Sequence, residues 1–214
     1  MTRKQLAVAA VVGQVVFVAA FLFLGVAEGH GYSFTKHYIS DLGTDTSHVR
    51  LPWFAALFIC GVATFAFAWF ALRPSLGISR LTTIAALLIS GSLLVFDGLT
   101  DIVFRLDCRL ADAGCSVSDQ TVSWHGKVHV DKFFVGLICS VAAPFVLAAC
   151  MKVADGWRDL VMPTRIFGVV FVIGAAAIAA ADGTDVQGVV QKALAAYLAA
   201  GAAALAVRVI KLES

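Results

Sequence analysis

Six apolar runs, each near the length of a bilayer crossing, constrain this chain more than any other feature. They fall at Leu6–Ala27, Leu51–Leu72, Leu81–Phe104, Val128–Met151, Leu160–Ala181 and Val189–Val207. A helix needs roughly 20 apolar residues to cross the hydrocarbon of a membrane, so each run predicts one span. The connections are short, which makes consecutive helices antiparallel neighbours in one bundle. The sequence therefore predicts an all-α, polytopic membrane bundle of six transmembrane helices, with residues 1–214 forming one domain. With 60% hydrophobic residues and a mean hydropathy of +0.90, the chain is too apolar for an ordinary soluble domain. A net charge of +2 with no basic stripe argues against a nucleic-acid partner. Arg3 and Lys4 ahead of the first run, with Gly25-Val26-Ala27 at its end, resemble a signal peptide. The run is longer than the roughly 7–15 residues of a signal core, and a retained helix is expected.

Threading six helices puts the loops after the first, third and fifth on one side. That side collects all five His and eleven of the fourteen acids, whereas the other carries only Asp155, Asp159 and Glu213 with nine of the sixteen basic residues. Both termini are expected in the cytoplasm and a polar pocket at the extracytoplasmic end. Cys108 and Cys115 lie in a loop on that side and can close a small disulfide there; two unpaired thiols are the alternative.

The polar side is densest from Asp97 to Lys132, a stretch with six Asp, two His and two Cys between two apolar runs. Asp97 and Asp101 are expected one helical turn apart on one face, and His125 and His129 likewise on the next helix. Two carboxylates and two imidazoles would then meet at one membrane boundary. An Asp in a membrane span is costly and normally faces a cavity or a partner. The aromatics Trp53, Phe96, Phe104, Trp124, Phe133 and Phe134 are candidates to wall a greasy substrate. His37, Tyr38 and Asp41 of the first loop and Gln191 of the last helix are candidates for its rim. Pro144 is expected to kink the fourth helix and open space between helices.

Several short motifs are shared with a known family. Gly31-Tyr32-Ser33, His37 and Ile39-Ser40-Asp41-Leu42-Gly43 follow the first helix; Asp107-Cys108 and Gly114-Cys115 follow the third. Gly126-Lys127-Val128-His129 opens the fourth helix and Gly188-Val189-Val190-Gln191-Lys192-Ala193 the last. With these motifs the chain resembles, over essentially its whole length, the bacterial and archaeal domain of unknown function 998 family. The resemblance implies six helices and a multi-pass protein of the bacterial inner membrane, and supplies no reaction. In plan alone the chain is also similar to small integral-membrane terpene cyclases, with no motif matching residue by residue.

Three functions compete at this stage. Asp97 and Asp101 cannot both ionise cheaply when so close, so one is expected to hold a proton. A protonated Asp among aromatic faces can start the cyclisation of a prenyl chain, with Asp97 or Asp101 as general acid and His125, His129 and Asp41 assisting. That assignment needs a lipophilic substrate from the bilayer and no cofactor. Against it, the two Asp can pair with Lys132, Arg105 or Lys192 as interhelical glue. The second function is a metal-dependent lipid hydrolase in which His125 and His129 grip zinc. The third is a non-enzymatic carrier or accessory protein. Oligomeric state is not encoded in any of these features.

Overall fold

A computed structural model describes residues 1–29 and 31–214, and among these residues every regular element is helical. His30 of the first loop lies outside them. The helices are α1 (Arg3–Glu28), α2 (Arg50–Ser75), α3 (Arg80–Ser90), α4 (Leu93–Thr100), α5 (Trp124–Met151), α6 (Val161–Ala181) and α7 (Gln187–Leu212). Among the described residues, five helices are long and apolar enough to cross a membrane, and α3 and α4, which meet at a bend of 43°, meet the same measure when taken together.

Local sequence explains where the elements begin. Thr2 and Gln5 form a reciprocal capping box at α1, with bonds of 3.2 and 2.8 Å, and Ser79 with Thr82 does the same at α3. Each span packs against its neighbours in sequence, and the last closes the circuit against α1. The result is a ring of helices around a central space, with α3 and α4 together filling one place in it. Its outer face is apolar: Phe58, Ile138 and Ile173 are all exposed, as a lipid-facing surface requires.

The third span is not the single helix expected over 81–104. It breaks at Gly91-Ser92, where Ser92 takes an extended backbone, and regular helix stops at Thr100. Broken backbone in a membrane needs substitute partners. Ser140 Oγ on α5 accepts the Leu93 N–H at 3.1 Å, and Ser92 Oγ donates to the Ile89 carbonyl at 2.6 Å. Glycines make the approach possible: a side chain at Gly91 would strike Cys139 Sγ, and one at Gly136 would strike Leu93. The helix of α5 itself runs unbroken through Pro144.

Candidate functional site

The start of α5 is tied down before any site residue is reached. Ser123 caps the helix through Gly126 N–H at 3.2 Å. Asp107 holds Ser123 in turn, accepting its backbone N–H at 2.8 Å and its hydroxyl at 2.5 Å. From this fixed start, His125, His129 and Lys132 face the end of α4. His125 Nδ1 lies 2.9 Å from the Val103 carbonyl and His129 Nδ1 2.9 Å from the Phe104 carbonyl. The helical spacing of the two imidazoles thus serves consecutive carbonyls of the turn that follows α4.

Deeper along α5, the Lys132 ammonium bonds to Oδ1 of both Asp97 and Asp101, and to the Asp97 carbonyl at 3.3 Å. An ammonium only donates, so both carboxylate oxygens accept. His129 Nδ1 also lies 3.2 Å from Asp101 Oδ1. Carbonyl and carboxylate together fix the proton on Nδ1, which leaves Nε2 without a partner among the described residues.

This cluster borders a cavity of about 480 Å³ inside the ring. Of the residues singled out from sequence, Asp97, Asp101, His129, Tyr38, Trp53, Phe133, Phe134 and Gln191 line it. The rim is bonded across the bundle. Tyr38 donates its hydroxyl to Asp182 at 2.6 Å, and Gln191 accepts the Ile39 N–H at 2.7 Å. Lys192 bonds the carbonyls of Phe34 and His37 at 2.9 and 2.7 Å, seating the first loop on α7. Gly188 is required there, because a side chain would collide with the His37 backbone.

Six expected site residues do not line the cavity. The turn after Thr100 swings Phe104 outward, where it meets the exposed Trp124 edge-on at 5.7 Å. The Trp124 and His125 rings lie 3.8 Å apart with their planes tilted by 32°, and His125 does not reach the cavity wall. Phe96 lies on the outer side of the π-helical turn of α4 and is partly exposed. His37 is buried in the loop, its Nδ1 accepting the Ser33 N–H at 2.8 Å; burial first, then Lys36, Lys192 and Arg109, lowers its pKa. Asp41 is wholly buried behind the rim. Its Oδ1 accepts from Gln120 at 2.9 Å and its Oδ2 has no partner among the described residues. Burial pushes its carboxyl up to about 7, against the pull of Gln120 and the Leu110 backbone.

No three His, Cys, Asp or Glu side chains among the described residues are grouped to hold a metal ion.

Cys108 and Cys115 are joined by a disulfide. The bridged segment carries Arg109, which bonds Glu28 and, at 2.9 Å, Asp112. Glu28 is fully buried and also accepts from Ser47 Oγ at 2.9 Å and from the N–H groups of His48 and Val49 at 3.1 and 3.2 Å. Just beyond the bridge, Val117, Gln120 and Thr121 form part of the cavity wall.

Several residues at or beside the cavity escape a reading of the sequence. Lys132 carried the signal of a lysine inside a span, three residues from His129, yet counted only as a partner for the acids. Phe17 and Phe171 also line the cavity, and nothing separates them from any other Phe in an apolar helix. Residues 11–208 match a protein family described as "Protein of unknown function (DUF998)". No curated protein and no solved structure matches the chain.

Proposed function

The chain belongs to the DUF998 family, and we propose that it is a membrane-embedded enzyme that performs acid–base chemistry on a lipophilic molecule held in the ring cavity. One observation carries the proposal: His129, oriented through Nδ1 by Asp101 and the Phe104 carbonyl, lines an apolar cavity with Nε2 unpartnered. Lys132 and the two Asp place a compact set of charges at the same wall, suited to a polar or reacting group. Trp53, Phe133, Phe134, Phe17 and Phe171 suit the hydrocarbon part.

This assignment moves the proton donor. Cyclisation of a prenyl chain begun by Asp97 or Asp101 needs a protonated carboxyl, and the Lys132 ammonium bonded to Oδ1 of each opposes that form. His129 is better placed to take and return a proton, with Asp101 as its positioning residue. An isoprenoid remains a suitable substrate because the cavity is apolar and aromatic.

The cavity end is assigned to the extracytoplasmic side of a bacterial cytoplasmic membrane, with both termini inside. Eleven of the fourteen acids gathered at that end, nine of the sixteen basic residues at the other and the disulfide support this orientation.

The test compares wild type with His129→Gln, both reconstituted and incubated with total membrane lipid and isoprenoid extracts. Untargeted mass spectrometry should find a species that wild type converts, with conversion falling about 100-fold or more in the variant. Equal conversion by both would remove His129 from the chemistry. A lipid bound by both and converted by neither would make the protein a binder.

A further inference from the structure

A second cavity of about 260 Å³ lies beside the first, and Leu94 and Leu198 line both. Its wall is apolar apart from a few hydroxyls, and no charged side chain lines it. The two cavities follow single faces of the same two helices. On α5, His129, Phe133 and Leu137 line the first cavity and Ser140, Pro144 and Leu147 the second, at spacings of three and four residues. On α7, Gln191 lines the first, Leu198 both, and Leu205 the second. Pro144 and Gly201 keep this stripe low, and Gly201 lies against Phe167 so closely that no side chain fits there.

Length identifies the occupant. From His129 to Leu147 the helix rises about 27 Å at 1.5 Å per residue. That is nearly the roughly 30 Å of bilayer hydrocarbon, and well beyond the roughly 15 Å that a chain confined to one leaflet spans.

We infer that the second cavity receives the far end of the substrate's tail, so that the protein selects a single hydrocarbon chain longer than one leaflet, with Leu198 at the point where the chain passes between cavities. The inference rests on the proposed site, because it places the polar end of the same molecule at Lys132 and His129. A polyprenyl chain and a very long straight chain share the required chemistry.

Native mass spectrometry of detergent-solubilised protein with alcohols of increasing chain length tests it, using one straight-chain series and one polyprenyl series. For wild type, affinity should climb by up to about fourfold per added methylene, continuing past chains of roughly 15 Å. Leu198→Trp should lose tenfold or more on the long chains relative to its own loss on the short ones. Ala202→Phe, further down the second cavity, should shift the cut-off to an intermediate length and stands in if the tryptophan variant does not fold. Climbing affinity in one series alone identifies the tail chemistry, and in both it identifies length as the criterion. A plateau at the same length in wild type and both variants overturns the inference. His129→Gln should keep the chain-length dependence while losing conversion. Dependence on length without conversion by wild type would sink the enzyme proposal and leave this one standing; conversion without dependence on length would do the reverse.

Discussion

Two buried charge clusters sit near the same end of this bundle, and they are built to opposite specifications. Around Glu28, both carboxylate oxygens are taken up by Arg109, the Ser47 hydroxyl and the backbone N–H groups of His48 and Val49, and the glutamate lines neither of the two cavities. Around Lys132, the acids are likewise paired, but Asp97, Asp101 and His129 all border empty apolar space, and His129 keeps one nitrogen without a partner among the described residues. A saturated cluster fixes a loop. An incomplete one beside a cavity is where a second molecule can complete the bonding. Composition does not separate them; what separates them is which atoms remain unused.

The comparison can be broken by asking which cluster holds the fold. Arg109→Ala strips the buried Glu28 of its cation and should cost about 3–5 kcal/mol in unfolding experiments, with conversion per folded molecule unchanged. A loss below 1 kcal/mol would mean that the Glu28 cluster is not structural. Asp41 offers the next largest effect, through pH. Its folded pKa of about 7 lies above its ordinary 3.8, so the folded state holds the proton more tightly. The stability it contributes is complete below pH 4 and is lost as pH rises through 7, at most about 4 kcal/mol spread over the whole window. Asp41→Asn should flatten that slope in thermal unfolding scans at a series of pH values, and an unchanged slope would assign it to other groups. Reducing the Cys108–Cys115 bridge, which closes a loop of sequence separation 7, should cost about 2–3 kcal/mol. The loss should fall with Arg109→Ala already present, because the bridge and Glu28 restrain the same segment. The smallest effect is expected from His129→Gln, at about 1 kcal/mol or less, since Gln can still donate to the Phe104 carbonyl. A larger loss would place His129 with the structural cluster.

The gross architecture was legible because hydrocarbon thickness imposes one length on every span, and the apolar runs meet it. The break at Gly91-Ser92 was not. Its substitute partner, Ser140, lies 47 residues away in sequence on another helix, and a Gly-Ser pair alone does not announce a break. The consequence reached the site: with helix ending at Thr100, Phe104 and Trp124 point outward, while Asp97 and Asp101 still converge because the Asp101 N–H bonds the Asp97 carbonyl at 3.0 Å. The spacing of His125 and His129 was visible, but its use was not. A pair one turn apart can serve two consecutive carbonyls only where a facing chain presents them, and the path of that chain is not written in the spacing.

The contact between the first loop and α7 sets an order of events as the protein is made. Lys192, Gln191 and Gly188 supply the ammonium, the amide oxygen and the bare surface on which residues 34–39 rest. All three belong to α7, and the loop they receive follows α1. That loop has no seat until α7 is in place, so the roof over the chamber forms only once the first and the last of these helices have come together.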